Sequence, residues 1–304
     1  MEIQTAIKQI TGKTAVAIGY FDGVHLGHAE VIGAAAGDGA RLGARPAVFT
    51  FDMSAARSGN KGSGNIMTEH DKQARIKALG IDLYLAPAFA DIADMSGKVF
   101  VEQVLSNQLG AVCLCCGRDF RFGKNRACGT AELGDICRAL GIELILTDDV
   151  LYGDMPVSST RIKQALSVGD MPSAAAMLGR PYSVCLPVRE DKQVARKLGF
   201  PTINQLFPQN LAGLRHGVYY TKAVVDGKPR HAISNIGMRP SVSKTTEYIS
   251  LETHIIDFSA DLYGLDIEVE FIDFVRDEQR FEDIDKLKTA VLNDIKTVLG
   301  KINK

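Results

Sequence analysis

Two histidines, His25 and His28, stand in Gly19-Tyr20-Phe21-Asp22-Gly23-Val24-His25-Leu26-Gly27-His28, between an apolar run ending at Ile18 and a helical pattern that starts at once. Three-residue spacing at a helix start puts both rings on one face, where both can donate to a single phosphate group. Such a turn also offers unpaired backbone N–H groups and the positive end of the helix dipole, the setting in which anions and nucleotides bind. Gly19 and Gly23 permit close backbone approach. Either histidine alone would say little; the spacing is the signal. A second anion cradle is spelled by Val157-Ser158-Ser159-Thr160-Arg161-Ile162-Lys163, with hydroxyls, helix N–H groups and the forked cation of Arg161. Taken by itself, that stretch reads first as an ordinary helix cap at Ser158 or Ser159.

Elements that position these groups follow from periodicity. Apolar runs at Thr14 to Ile18, Ala47 to Phe51, Leu83 to Ala86, Ala111 to Cys116 and Glu143 to Leu146 read as strands. Between them, Val24 to Ala36, Glu69 to Leu79, Lys98 to Leu109 and Ala131 to Leu140 read as helices, with Thr68, Ser96 and Thr130 as N-caps and Gly80, Gly110 and Gly141 as stops. This alternation predicts a parallel sheet covered by helices. After further helices at Ser159 to Val168 and one ending near Leu178, Gly179-Arg180-Pro181 breaks the pattern, giving domains 1–180 and 181–304. Beyond the break the runs Tyr182 to Val188, Val218 to Val225, Arg230 to Ile236, Ser250 to Asp257 and Asp266 to Phe274, with the tight-turn pair Asp226-Gly227, predict a small antiparallel barrel. Ile284, Leu287, Val291, Ile295 and Val298 form the apolar stripe of a terminal helix packed on it.

Composition narrows the function classes. At 304 residues two domains are the expectation. Lys plus Arg (35) nearly balances Asp plus Glu (36), which argues against a nucleic-acid partner. No apolar run approaches bilayer length and Met1-Glu2-Ile3-Gln4-Thr5 is not a signal peptide, so a cytoplasmic protein without a membrane partner is expected. Cys113 and Cys116 have redox or zinc spacing, but they lie in an apolar strand pattern without a second ligand pair. Buried reduced thiols are the expectation.

His-x-Gly-His after a glycine-bearing first strand is the signature of the α/β nucleotidyltransferase superfamily. The longer Gly19 to His28 stretch, with Gly117-Arg118-Asp119-Phe120-Arg121-Phe122-Gly123 and Val157 to Lys163, resembles its flavin branch. In the second half, Leu198-Gly199-Phe200-Pro201-Thr202-Ile203-Asn204, Ser234 to Pro240, Leu251-Glu252-Thr253-His254-Ile255, Asp261 to Gly264 and Arg276-Asp277-Glu278-Gln279 resemble riboflavin kinase. The resemblance, to the bifunctional riboflavin kinase/FMN adenylyltransferase family, spans about Thr14 to Asp294. It implies an α/β chain: a Rossmann-like nucleotidyltransferase domain with a parallel sheet, then an antiparallel β-barrel kinase domain with a terminal helix.

The implied reactions are phosphorylation of riboflavin by ATP to FMN, and adenylylation of FMN by ATP to FAD with loss of pyrophosphate. By the same resemblance His25, His28 and Arg161 would stabilise adenylyl transfer, and Glu252 would accept the ribityl proton, His254 bracing its strand. Gly19, Phe21, Asp22, Gly23, Asp119, Ser158, Ser159, Thr160, Thr202, Asn204 and Arg276 would contact nucleotide or flavin, and Thr202 and Asn204 would hold magnesium with ATP. Flavoenzymes would receive the product. Two loops depart from the family: Met53-Ser54-Ala55-Ala56 replaces Pro-His-Pro after Asp52, and Val188 to Lys197 replaces a glycine-bearing phosphate loop. Retention of one activity only, or a non-catalytic flavin-binding regulator, are the alternative readings.

Overall fold

A computed structural model describes residues 1–52, 64–190, 200–240, 247–279, 281 and 283–302. Chain contacts divide it into two units, Met1–Ala56 with Thr68–Ser159, and Arg57–Met67 with Thr160–Lys304.

The first unit is a six-stranded parallel sheet. Its elements are β1 (Glu2–Gln4), β2 (Thr14–Ile18), α1 (Leu26–Leu42), β3 (Arg45–Phe49), α2 (Glu69–Ala78), β4 (Leu83–Leu85), α3 (Gly97–Val99, continued by the π-helical Phe100–Gln108), β5 (Ala111–Gly117), α4 (Thr130–Leu140) and β6 (Glu143–Thr147). A small hairpin of β7 (Leu151–Tyr152) and β8 (Met155–Pro156) follows. β2 to β6 coincide with the runs expected from the sequence within two residues. All five residues of β2 are buried, as a central parallel strand covered on both faces requires. Val16, Ile18, Phe49, Leu85, Val104, Leu114 and Leu133 meet in one core, each fully buried side chain contributing about 1.5–3 kcal/mol. One cap differs from expectation. Gly129, not Thr130, caps α4, its N–H donating to the Glu132 carboxylate at 2.8 Å.

Strand order is β1-β4-β3-β2-β5-β6. The chain moves outward from β2 through β3 to β4, then returns to place β5 on the other side of β2. That reversal makes the carboxyl end of β2 the topological switch point, where ligands of such sheets bind.

The second unit holds α5 (Ser159–Val168, from its second residue), α6 (Met171–Leu178), β9 (Tyr182–Arg189), β10 (Thr202–Phe207), β11 (Gly217–Val225), β12 (Lys228–Pro240), β13 (Glu247–Ile255), β14 (Asp266–Asp277) and α7 (Ile284–Ile302). Its six strands close into an antiparallel barrel in the order β10-β13-β12-β11-β14-β9. α6 packs on β9 and β14, and chain contacts group it with the barrel. Inside, the Phe271 ring meets Tyr219 edge-on and Tyr182 at a tilt, and Thr221, Ser234 and Thr253 link their hydroxyls at 2.7–2.8 Å across three strands. These buried polar groups satisfy one another, which removes the cost of desolvating them singly.

Asp226 and Gly227 take φ of 52° and 70°, the left-handed pair that a two-residue hairpin needs. α7 lies on the outer face, where Val298, Ile295 and Ile302 pack on Val218, Tyr220 and Ile233. Its packed stripe begins at the half-buried Leu287, since Ile284 is 59% exposed. The stripe also contains a charge: Asp294 is buried and held by Arg276 of β14 at 2.9 and 2.7 Å.

Candidate active sites

The turn from β2 into α1 sits at the switch point. Phe21, Gly23 and Val24 all have positive φ, 54°, 85° and 41°, so three residues in four hold left-handed backbone. Strain of this kind persists only where surrounding structure enforces it, and it clusters at ligand clamps. Gly19 has a different reason to be glycine: a Cβ there would lie 2.9 Å from the Phe21 ring. Phe21 and Asp22 are both buried in the turn.

His25 is the N-cap of α1, and its Nδ1 accepts the His28 N–H at 3.3 Å. Because Nδ1 accepts, the neutral ring carries its proton on Nε2. The two imidazoles stack, centroids 3.5 Å apart and planes 17° from parallel, while Phe21 meets His28 edge-on at 5.3 Å. The shared face expected from the spacing is thus formed. Burial first, then the neighbouring His25 and Lys72, push the His28 imidazole well below the ordinary histidine range. A neutral ring is the consequence at physiological pH. Its Nδ1 is buried and has no hydrogen-bond partner among the described residues. α1 has no acidic residue in its first turn, so no carboxylate there competes for the positive end of the helix.

Ser159 ties the second cradle to the first, its Oγ donating to the Asp22 carbonyl at 2.9 Å. Ser158 precedes it, and Thr160 and Arg161 occupy the first turn of α5. Asp119 follows β5 on the turn where Arg118 pairs with Asp148 at 2.7 Å. Lys72 was not among the residues expected at the site. It is wholly buried on α2, its Nζ donating to Thr50 Oγ1 at 2.8 Å and the Phe51 carbonyl at 3.3 Å. A lysine four residues before the buried Ile76, on the apolar face of a helix, was the available signal. The cysteines remain bystanders: Cys113, Cys115 and Cys116 are buried in β5, and burial pushes the Cys116 thiol up to about 12.

In the barrel, register brings the second set together. Asn204 of β10 faces Arg189 of β9 on one side and Glu252 of β13 on the other. Glu252 faces Asn235 of β12, Asn235 faces Val218 of β11, and Val218 faces Arg276 of β14. Directly opposed residues point to one side of a sheet, so Arg189, Asn204, Glu252, Asn235 and Arg276 share one row. Val218, which packs under α7, identifies it as the outer face.

Thr202 and His254 oppose each other in the next outer row. His254 Nδ1 lies 3.0 Å from the Pro201 carbonyl, and its ring meets Phe200 edge-on, bracing the start of β10. Glu278 also reaches this region, because a Cβ on Gly237 would come within 2.2 Å of its Oε1. Arg276 shares the row, but its guanidinium is engaged by Asp294.

Thr202 and Asn204 alternate on one strand face and offer neutral oxygens beside the Glu252 carboxylate. That donor set suits a hard cation whose remaining ligands are phosphate oxygens and water. Among the described residues no group of three His, Cys, Asp or Glu could cage a metal by itself. Residues 53–57 and 191–197, on which most of the two departures from the family pattern fall, lie outside the described residues.

Two family models match the chain, one in each half. The FAD synthetase model matches residues 7–161 and the riboflavin kinase model residues 178–301. A bifunctional riboflavin kinase/FMN adenylyltransferase of Bacillus subtilis is 32% identical over 295 residues, covering 95% of this chain and 92% of that protein. The chain belongs to the bifunctional riboflavin kinase/FMN adenylyltransferase family. Other members with the same description are the Haemophilus influenzae protein, 30% identical over 95% of this chain and 94% of its own, and that of Escherichia coli K12, 29% identical over 91% and 89%. A crystal structure titled as a macrolide-efflux protein of Streptococcus pneumoniae shares the fold, with a TM-score of 0.85 over 98% of both chains at 24% identity. No helix among the described residues is long and apolar enough to cross a membrane.

Proposed function

We propose that this family member makes FMN and FAD, with residues 181–304 phosphorylating riboflavin and residues 1–180 adenylylating FMN. The observation that carries the reading is the stacked His25/His28 pair, seated on a helix N-terminus at the switch point of the sheet. Adenylyl transfer joins an FMN phosphate oxygen to the α-phosphorus of ATP and breaks the bond to the pyrophosphate oxygen. It needs alignment and charge neutralisation more than a covalent nucleophile. The His25 Nε2–H, the neutral His28 ring and the α1 backbone N–H groups supply donors to that phosphate without burying a further full charge. Arg161, with Ser158, Ser159 and Thr160, is assigned to the polyphosphate. Gly19, Phe21, Asp22, Gly23 and Asp119 are assigned to shaping the nucleotide and flavin pockets.

On the barrel, Glu252 takes the proton from the ribityl hydroxyl as that oxygen attacks the γ-phosphorus of ATP and ADP leaves. Asn204 beside it and Thr202 one row on would hold magnesium with the ATP phosphates; the ion supplies charge neutralisation on the transferred phosphoryl group. Flavoenzymes are the expected recipients of the FAD, and a cytoplasmic setting suits both substrates.

The test is chromatography of products from riboflavin, ATP and magnesium, repeated with supplied FMN. Glu252→Gln removes FMN formation and spares FAD formation from supplied FMN; His28→Ala does the reverse. No FMN and no FAD from the unaltered protein would refute the reading, and damage to both activities by either folded variant would refute the division of labour.

A further inference from the structure

Lys72 places a buried ammonium in the first unit that the proposed chemistry does not use. Its side chain is fully buried among the carboxyl ends of three neighbouring strands. Nζ donates to Thr50 Oγ1, just past β3, and the same hydroxyl donates to the Tyr20 carbonyl, just past β2, at 3.0 Å. The ammonium stands over the Tyr20 ring at 5.3 Å and the Tyr84 ring of β4 at 5.9 Å. A single cation therefore reaches the backbone of the Tyr20 to His28 turn through one hydroxyl.

Burying an ammonium is costly, and the protein has not compensated it fully. Desolvation lowers the Lys72 pKa to about 8, against the opposing pull of Glu69, Asp22 and Asp52. Tyr84 shares Glu69, its OH donating to that carboxylate at 2.6 Å. The groups facing Lys72 are thus Glu69 on its own helix, Asp22 and Tyr20 on the turn after β2, Asp52 after β3 and Tyr84 on β4, with the His25/His28 pair close enough for the charge to act on His28. A methionine would fill the same space without the desolvation. A buried lysine at the ligand end of a sheet, cheaper to replace than to keep, points to a use other than packing.

We propose that Lys72 is a positioning residue of the adenylyl-transfer site: through Thr50 its ammonium fixes the backbone turn that carries His25 and His28. The proposal rests on the adenylyltransferase reading, and the unaltered protein separates the two, since absence of FAD there would fail the reading itself. Lys72 touches neither substrate; it acts through the turn. Lys72→Met removes the cation, and Thr50→Val removes only the hydroxyl relay.

Both variants should lower kcat for FAD formation about tenfold to a hundredfold, the cost of a misplaced catalytic constellation, with riboflavin phosphorylation unchanged in the same preparation. Histidine titration by NMR supplies the readout that simple packing would not move. Lys72→Met should raise the His28 pKa because a neighbouring positive charge is gone, whereas Thr50→Val, which keeps the charge, should not. If Lys72→Met fails to fold, Thr50→Val decides. FAD formation at the unaltered rate in a folded Lys72→Met, or in Thr50→Val, overturns the proposal, as does an unmoved His28 titration in folded Lys72→Met.

Discussion

The ion pair between Arg276 and Asp294 allows a role to be separated from a resemblance. Arg276 matches a family position expected to contact nucleotide, yet its guanidinium grips Asp294 of α7 through Nε and Nη2. The partners are unequally buried: 23% of the Arg276 side chain is exposed but only 8% of the Asp294 side chain. Removing Arg276 as Arg276→Met therefore strands a carboxylate with little access to water, at a cost of about 3 kcal/mol. Removing Asp294 as Asp294→Ala leaves a guanidinium that reaches solvent and keeps its bond to the Asp277 carbonyl, so about 2 kcal/mol is expected. The pair Arg276→Met/Asp294→Ala removes both charges together and should cost about 2 kcal/mol, well short of the sum. Urea denaturation followed by circular dichroism measures all three. A steady-state KM for ATP in riboflavin phosphorylation adds the functional arm: an anchor changes it alike in both single variants, a nucleotide ligand changes it in Arg276→Met alone. Equal or reversed costs, or an additive double variant, would refute the reasoning from burial.

Gly217→Ala should destabilise the barrel by about 3 kcal/mol, since the new Cβ would lie 2.3 Å from the Arg276 carbonyl at a φ of 149°; urea midpoints check it. Lys72 gives the first unit a pH signature. Its pKa falls from 10.5 unfolded to about 8 folded, so between those values the unfolded chain binds more protons and stability rises with pH, by about 3 kcal/mol in all. Urea midpoints at pH 7.5 and 10 should show the rise in the unaltered protein and lose this component in Lys72→Met. Ser159→Ala, which removes the hydrogen bond to the Asp22 carbonyl, should reduce FAD formation severalfold, equivalent to about 1 kcal/mol, and leave FMN formation unchanged.

The parallel sheet was legible because its central strands are apolar throughout, and a run such as Ala15 to Ile18 admits few other interpretations. The His25/His28 face was legible because helical geometry is local. What escaped notice depends on partners far along the chain. β1 is three residues long, two of them polar, and it is a strand only because β4 pairs with it. β10 alternates in burial but not in polarity: its buried positions include Gln205, whose amide N–H groups donate to the Leu186 and Ile267 carbonyls of other strands. The helix expected at 98–109 appears, but with π-type spacing over Phe100–Gln108. Lys72 ran against hydrophobic patterning, since a charge on a buried helix face is read as an error of register until the fold supplies Thr50 and Phe51. The outer row of the barrel could not be read from spacing: resemblance named Asn204, Glu252 and Arg276 singly, and only the closed register aligns residues that lie between 189 and 276.

That closed register has a consequence for how the barrel site can vary. A closed barrel has no free edge from which one strand can creep past its neighbour. Sliding β10 by a single residue would turn Asn204 inward and Gln205 outward, so the spacing between Asn204 and Glu252 changes in whole steps or not at all. The distance between the assigned phosphate ligand and the assigned base is therefore set by main-chain hydrogen bonds, whose geometry is the same whatever side chains fill the interior. Substitutions inside can accumulate as changes in melting temperature while the outer row keeps its alignment, which uncouples the history of the core from the history of the chemistry.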